Sequence, residues 1–152
     1  MPLIVKDFMS KRIKSIPPDM NARDALKLLI KSGASGLPVI DKNGRLYGVF
    51  TEKEVLKVMS PAYLKHVGAF VYGGESRGKL KKIAQLAKRK VRDVMRKDVP
   101  TVDEDTSITE VSRIMLTRSE RRIVVTKGFK AIGVITRSDI VKALAKEAGL
   151  AL

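Results

Sequence analysis

The chain has 152 residues, no cysteine, one histidine (His66) and a formal net charge of +15. Disulfide bonds and thiolate metal sites are therefore excluded, and a single histidine makes a histidine-based metal site or catalytic relay improbable. No apolar run approaches the roughly 18 residues of a membrane span, and the first five residues are too short for a signal peptide. We expect a cytoplasmic protein without a membrane segment.

The positive charge is concentrated in the middle of the chain. Residues 61–90 carry 8 Lys and Arg against 1 Asp and Glu, a surplus of 7. Such a block is either a solvated face that keeps the protein soluble or a surface for an anionic partner such as nucleic acid. Amide residues are scarce while Lys, Arg and Glu are abundant, which resembles the composition of a thermophile protein.

The sequence contains an internal repeat. A Val-x-Asp-x-Met segment begins at Val5 and recurs at Val91, 86 residues later. A segment that begins Gly-Val, continues with an apolar residue and Thr, and has an acid three residues after the Thr occurs at Gly48 and again at Gly133, 85 residues later. The one lost residue falls in a turn, where a structural repeat tolerates a deletion. The predicted divisions are a first repeat at residues 1–60, a basic linker and helix at residues 61–90, and a second repeat at residues 91–152.

The same elements are predicted in both repeats. A short extended piece (residues 14–16 or 100–102) precedes a helix that is capped by Asn21 or Ser107. Two strands joined by a turn follow, and a second helix begins at the end of the second strand. Each repeat is therefore strand, helix, strand, strand, helix, and at about 60 residues it buries little surface alone. We expect two repeats, related by a pseudo-twofold, to pack into one α+β module with two related clefts.

The end of the second strand in each repeat allows two interpretations. A hydroxyl followed three residues later by a carboxylate, as in Thr136 and Asp139 or in Thr51 and Glu54, is the pattern of a helix capping box. The same arrangement can face a nucleotide, with the hydroxyl and helix start toward phosphate and the carboxylate toward the ribose hydroxyls. The residue types alone leave both interpretations open.

The doubled pattern resembles a pair of CBS domains, the regulatory module also called a Bateman module. The resemblance rests on the two Val-x-Asp-x-Met segments, the two-copy layout and the two Thr-x-x-acid endings, and it covers nearly the whole chain outside residues 61–90. It implies an α+β ligand-binding disc, commonly a homodimer, that has no catalytic activity of its own. Its clefts would bind AMP, ADP, ATP or S-adenosylmethionine as regulatory ligands, with no required cofactor. The regulated activity would belong to a separate, unidentified protein partner.

The resemblance implies that the main ligand site lies in the second repeat. There Thr136 would contact a phosphate, and Asp139 would accept hydrogen bonds from the ribose. Arg121 and Arg122 match a position that is basic in family members with phosphorylated ligands. Two arginines directly before a buried strand cannot both point inward, so one of them can be structural or solvated. The predicted main-site residues are Thr101, Val102, Arg121, Arg122, Ile123, Ile135, Thr136, Ser138 and Asp139.

The first repeat departs from this pattern. Its acid is Glu54, which suits a capping box better than a ribose site because the longer side chain can reach back to the first amide of the helix. No arginine precedes its first buried strand, although Lys53 can supply positive charge. The residues predicted for this weaker second site are Ser15, Ile16, Gly36, Leu37, Pro38, Phe50, Thr51, Lys53 and Glu54.

Three other segments carry less specific signals. Residues 73–80 nearly fit a phosphate-binding P-loop, but Leu80 replaces the hydroxyl that would ligate magnesium, and a flexible linker explains the glycines. Residues 79–92, from Lys79 to Arg92, predict a basic helix that either docks on the module or binds nucleic acid or an acidic partner. The acids that begin at Asp103 precede a helix, where acids are favoured without a cation.

Two functions follow from these patterns. The first is a stand-alone sensor of an adenosine compound that signals to a separate partner. The alternative is a basic nucleic-acid-binding or adaptor protein with vestigial nucleotide clefts. We expect no enzyme and no metal site, since no general base, nucleophile or metal-ligand set is assembled in the sequence.

Overall fold

The computed structural model describes residues 2–59 and 84–151. The chain divides into two compact units, each built from segments that are distant in the sequence. The first-repeat unit consists of Ser15–Lys42 and Tyr47–Asp98, and the second-repeat unit consists of Met1–Lys14, Asn43–Leu46 and Val99–Leu152. No helix within the described residues is both long and apolar enough to cross a membrane.

The first-repeat unit pairs two helices with a small sheet. Its elements are α1 (Ala22–Ser32), β1 (Gly36–Ile40), β2 (Leu46–Thr51), α2 (Glu52–Met59) and the short α3 (Val91–Val94). β1 and β2 are neighbours in the sheet, and Ile16 adds one parallel bridge to Val39. Asn21 caps α1 as predicted, because its side-chain oxygen accepts from the amides of Arg23 and Asp24.

The core of this unit follows the predicted helical spacing of α1. Ala22, Ala25 and Leu29 lie on one buried face of the helix, three to four residues apart. They pack with residues of the strands, of α2 and of the segment before residue 99. The buried members of this cluster are Ile16, Ala22, Ala25, Leu29, Leu37, Val39, Phe50, Val55, Leu86, Val91 and Val94.

The second-repeat unit repeats this arrangement with a longer sheet. Its elements are a 3-10 helix (Val5–Asp7), β3 (Thr101–Asp103), α4 (Ile108–Thr117), β4 (Arg122–Lys127), β5 (Lys130–Thr136) and α5 (Arg137–Glu147). The strand order is β3-β4-β5, with β3 parallel to β4 and β5 antiparallel to it. The buried members of its core are Val5, Val102, Ile108, Val111, Met115, Ile123, Val125, Ile135, Ile140 and Ala143.

Each Val-x-Asp-x-Met segment lies in the unit of the other repeat. Val5 belongs to the core of the second-repeat unit, and Val91 belongs to the core of the first-repeat unit. The amide and carbonyl of Ser10 exchange 2.9 Å hydrogen bonds with those of Val134, and Arg96 does the same with Val49. The two segments therefore extend the pairing of β5 and β2, respectively, on the side of the motif glycines.

The predicted basic helix over residues 79–92 is interrupted in its described part. Residues 84–86 are helical, but residues 87–90 form a turn and a bridge before α3 begins at Val91. The reason is a set of backbone bonds to the start of α1: Ala22 donates to the Arg89 carbonyl and Val91 donates to the Met20 carbonyl, each at 2.9 Å. The P-loop-like residues 73–80 and the remainder of the basic segment lie outside the described residues.

Candidate functional site

The junction between β5 and α5 in the second repeat is a complete capping box. The Thr136 hydroxyl oxygen accepts from the Asp139 amide at 3.2 Å, and Asp139 Oδ2 accepts from the Thr136 amide at 2.9 Å. The two bonds satisfy amides that the first turn of the helix would leave unpaired. The capping interpretation of this motif is therefore correct for the second repeat.

The capping box leaves part of its bonding capacity unused. Within the described residues, Asp139 Oδ1 makes no hydrogen bond, and the half-buried side chain keeps that oxygen near the surface. The Thr136 hydroxyl accepts from Asp139 but still has its own hydrogen to donate. Ser138, in the first turn of α5, is exposed. Capping and ligand binding are thus compatible at this junction.

The register of the sheet brings the arginine pair to the same junction. Arg122 is the first residue of β4 and stands opposite Thr136 in the antiparallel ladder, while Ile123 stands opposite Ile135. Arg121 and Arg122 are both exposed. Arg121 is tied to α5 through its carbonyl, which accepts from the Arg137 amide at 3.0 Å.

The apolar residues predicted for the main site occupy a different environment from the polar ones. Val102, Ile123 and Ile135 are all members of the buried core of the unit. Thr101, at the start of β3, is exposed and pairs with Val124. The structure therefore brings Thr136, Ser138, Asp139 and the arginine pair to the junction and places the apolar members in the core that supports it. Thr101 lies apart from them, on the edge strand on the other side of β4.

A tight helix end positions the segment that carries the arginines. At the end of α4, the Glu120 amide donates to the Met115 carbonyl at 3.0 Å and the Arg118 amide donates to the Ile114 carbonyl at 2.9 Å. Ser119 adopts the left-handed conformation, with φ of 54°. This is the geometry of a Schellman-type helix end, which usually carries glycine at the left-handed position.

Arg137 is a residue of this junction that the sequence analysis missed. Besides its amide bond to Arg121, its Nε donates to the Glu120 carbonyl at 2.9 Å. The side chain thus links the first turn of α5 to the segment before β4. Its basic character, directly after Thr136 in the repeated motif, was the signal that could have identified it.

The corresponding junction of the first repeat has a different bonding pattern. Glu54 Oε1 accepts from the Thr51 hydroxyl at 3.4 Å, and the same hydroxyl accepts from the Glu54 amide at 3.3 Å. Glu54 is 6% exposed, and its Oε2 lies 3.5 Å from Lys57 Nζ. The prediction that Glu54 reaches back to the first amide of its helix is therefore wrong. The Glu54 carboxylate is instead engaged by the Thr51 hydroxyl and by Lys57.

The other residues predicted for the weaker site are divided between core and surface. Ile16, Leu37 and Phe50 belong to the hydrophobic core, and Gly36 and Pro38 are also buried. Ser15 and Lys53 are exposed, and Thr51 is half-buried. A side chain at Gly36, the counterpart of Arg122, would place its Cβ 3.0 Å from Thr51 Cγ2.

The acids that begin at Asp103 stabilise a turn. Asp103 Oδ1 accepts from the Asp105 amide at 2.9 Å, and Glu104 lies 3.7 Å from Lys127. Within residues 2–59 and 84–151, no group of three acidic or histidine side chains is arranged to hold a metal ion.

Two α+β repeats, each with a strand-to-helix junction of the Thr-x-x-acid type, define a tandem repeat module of the kind that the sequence predicted. The chain belongs to the CBS domain family, whose model matches residues 5–61 and 91–146. The predicted fold class and the resemblance to a CBS pair are thereby confirmed.

Two of the relatives match this chain over nearly their whole length. An uncharacterized protein of Methanocaldococcus jannaschii is 28% identical over 93% of this chain and 91% of its own length. A CBS domain-containing protein of Dictyostelium discoideum is 28% identical over 96% and 94%, respectively. The crystal structure of the CBS-pair protein CBSX2 from Arabidopsis thaliana has a TM-score of 0.76 at 28% identity and covers 99% of this chain and 100% of its own. CBSX2 has also been solved in complex with AMP, with a TM-score of 0.71 over 96% of this chain and 98% of its own.

Proposed function

We propose that this protein is a regulatory module that senses an adenine nucleotide at the β5–α5 junction of its second repeat. The observation that carries the proposal is the combination, at one junction, of the unbonded Asp139 Oδ1, the Thr136 hydroxyl and the exposed arginine pair. The AMP complex of CBSX2, a relative at 28% identity over nearly the full chain, supports an adenosine ligand.

Each polar group of the junction has a role in this proposal. Asp139 Oδ1 accepts a ribose hydroxyl while Oδ2 continues to cap α5. The Thr136 hydroxyl donates to a phosphate oxygen, and Arg121 or Arg122 forms a charge-assisted contact with the same group. Because arginine forks match phosphate geometry, we propose that AMP, ADP or ATP binds in preference to S-adenosylmethionine.

The first-repeat junction is proposed as a weaker site. Its carboxylate, Glu54, is buried and already shared between Thr51 and Lys57. A ribose hydroxyl would have to compete with both contacts. The strand that begins at Gly36 also lacks the arginines that the second repeat provides. One nucleotide per chain at moderate concentration is therefore the expected stoichiometry.

Isothermal titration calorimetry of the intact protein tests this function. AMP, ADP, ATP, S-adenosylmethionine and GTP are titrated into the wild type and into Asp139→Ala. We expect an adenine nucleotide to bind with a stoichiometry near one and Asp139→Ala to weaken it by tenfold or more, because a hydrogen bond to a charged group contributes about 1.5–3 kcal/mol. Binding of none of the five ligands, or equal affinity in the variant, would overturn the assignment.

We further propose that the module is a homodimer that acts on a separate protein partner. Supporting observations are apolar side chains left exposed on the helices of each unit, among them Ile30 and Leu56 in one and Leu116 and Val141 in the other. α1 and α2 also border an apolar groove of about 390 Å³. Copies of this chain that cover these helix faces would remove the apolar surface from water.

The alternative function is nucleic-acid binding through the basic segment. The observation that favours it is the exposure of Lys88, Arg89 and Lys90 at its described end. Titration with duplex DNA and RNA at two salt concentrations distinguishes the alternatives. Phosphate-driven binding weakens steeply as salt rises, and it would be reduced by reversing the charge of these three residues and left unchanged by Asp139→Ala.

A further inference from the structure

Arg137 fixes the segment that presents the arginine pair. Its amide donates to the Arg121 carbonyl at 3.0 Å, and its Nε donates to the Glu120 carbonyl at 2.9 Å. One residue therefore holds two successive carbonyls directly before β4. Since Nε is only one of the donors of a guanidinium, the terminal nitrogens retain donors for a further acceptor.

The same segment is also held from its other side. The helix-end bonds of α4 fix the backbone as far as the Glu120 amide, through the left-handed Ser119. Arg137 then holds the Glu120 and Arg121 carbonyls. The next residue, Arg122, is already held by its pairing with Thr136 in the sheet. Long arginine side chains lose considerable rotamer entropy when they bind. A backbone that is already fixed adds no further entropy cost on ligand binding.

The first repeat shows which of the two bonds the fold requires. There the Glu52 amide donates to the Ser35 carbonyl at 3.1 Å, the counterpart of the bond between Arg137 and Arg121. The side chain of Glu52 has no N–H and cannot form the second bond. The repeat thus folds with the backbone bond alone, and the side-chain bond of Arg137 is an addition specific to the second repeat.

The matching positions of the two repeats also differ in charge. The second repeat has Arg121, Arg122 and Arg137 where the first repeat has Ser35, Gly36 and Glu52. The three positions therefore carry three positive charges in one repeat and one negative charge in the other. An anionic ligand would be attracted to the second junction and repelled by Glu52 at the first.

We propose that Arg137 is a positioning residue for phosphate recognition, which makes the second-repeat junction select phosphorylated over unphosphorylated adenosine compounds. The proposal rests on the nucleotide-binding function above and specifies which part of the ligand the site discriminates. Arg137 holds the backbone of Glu120 and Arg121, and the arginine pair then contacts the phosphate. Adenosine, which lacks the phosphate, gains nothing from this arrangement.

The test compares AMP with adenosine on the intact protein. Dissociation constants for both are measured by calorimetry for the wild type, Arg137→Gln, Arg137→Lys and Arg137→Glu. In Arg137→Gln we expect the AMP affinity to fall about five- to tenfold, the effect of one ordinary hydrogen bond and a nearby charge, with the adenosine affinity unchanged within twofold. Arg137→Lys keeps the charge without the planar fork and should recover only part of the loss. Arg137→Glu installs the residue that the fold accepts at Glu52 and should lose the most.

Two matched variants and the wild type separate the outcomes. Lys142→Gln removes one exposed charge from the same helix, and Glu52→Gln alters the matching position of the first repeat. Neither should change the ratio of AMP to adenosine affinity at the second-repeat junction. An equal loss for both ligands in Arg137→Gln, or full AMP affinity in Arg137→Lys, would overturn the positioning role. Absence of AMP binding in the wild type would overturn the nucleotide-binding function itself and this inference with it.

Discussion

At the scale of single residues, the two repeats use the same motif for different bonds. Asp139 reaches the amide of the preceding Thr with one oxygen and retains the other, whereas Glu54 turns to the Thr51 hydroxyl and to Lys57. Both carboxylates therefore remain at their junctions, but only that of Asp139 caps the preceding amide and keeps an oxygen without a hydrogen bond. The cap of Asp139 and its proposed ribose contact are compatible, because they involve different oxygen atoms.

Asp139→Ala is expected to reduce both stability and nucleotide binding. Loss of the capping bond should lower the free energy of unfolding by about 1 kcal/mol, as measured by chemical denaturation of the ligand-free protein. Asp93→Ala is the matched control, since Asp93 Oδ2 accepts from the Lys90 amide at 3.3 Å in the same capping position of α3. The control should lower stability comparably and leave the AMP affinity intact. If both variants lost AMP affinity to the same extent, Asp139 would have no role beyond capping the helix.

The residue types at the site were largely predictable, and their bonds were not. Thr136 and Asp139 follow from the repeated motif, and the arginine pair from the resemblance to the CBS family; their part in ligand binding stays a prediction. The choice of Glu54 between the Thr51 amide and the Thr51 hydroxyl depends on its surroundings in the folded unit, which a pattern of residue types does not encode. Arg137 was missed because its partner is a carbonyl 17 residues away, and no local spacing indicates such a contact.

At the scale of elements, periodicity predicted the helices and strands well. The helical face of α1 and the Asn21 cap follow directly from spacing and residue type. The position of the two Val-x-Asp-x-Met segments does not follow from spacing and residue type. A short apolar segment can complete either of two similar cores. The glycines of the repeated motif are explained only by this exchange, since a second backbone passes beside each of them.

Alanine at the motif glycines should test this close approach. A Cβ at Gly48 would lie 2.3 Å from the Arg96 carbonyl oxygen, and one at Gly133 would lie 2.8 Å from the Ser10 carbonyl oxygen. Either change forces the paired backbone apart, so we expect a loss of about 1–3 kcal/mol in unfolding free energy, as for overpacked cores. Gly36→Ala is the control, because the two atoms closest to its Cβ would be side-chain carbons at 3.0 Å and 3.2 Å, and the nearest backbone atom would lie at an ordinary contact distance of 3.5 Å. A smaller effect at Gly48 than at Gly36 would contradict the explanation.

The end of α4 offers a change that should stabilise the protein. Ser119 is left-handed, with φ of 54°, at the position where the first repeat has Gly33, with φ of 69°. The left-handed conformation costs a non-glycine residue about 1–2 kcal/mol, partly offset by the greater unfolded-state freedom of glycine, about 0.5–1 kcal/mol. Ser119→Gly should therefore raise the free energy of unfolding by up to about 1 kcal/mol. The same substitution at Ser112, inside α4, should lower the free energy of unfolding by a similar amount. If both substitutions changed this free energy in the same direction, Ser119 would not be strained.

At the scale of the whole molecule, several large apolar side chains on the helices of both units are exposed. Ile30 and Leu116 are 72% and 77% exposed, and they are matching residues of α1 and α4, 86 positions apart in the repeat. Helical spacing assigns such residues to the apolar face of a helix, but it does not show which of them remain outside the core. Their recurrence at matching positions of both repeats supports the homodimer proposed above.

A change of these two residues to glutamate should dissociate the proposed homodimer. In Ile30→Glu combined with Leu116→Glu, sedimentation equilibrium should give the monomer mass at concentrations where the wild type has twice that mass, because the covered face would then bury unpaired charge. The thermal stability of the monomer should change little, since both side chains are exposed within one chain. Lys31→Glu alters an exposed neighbour on α1 without adding or removing an apolar group, and it should leave the dimer intact. A monomeric wild type, or an unchanged mass in the double variant, would show that these helix faces do not join two copies of the chain.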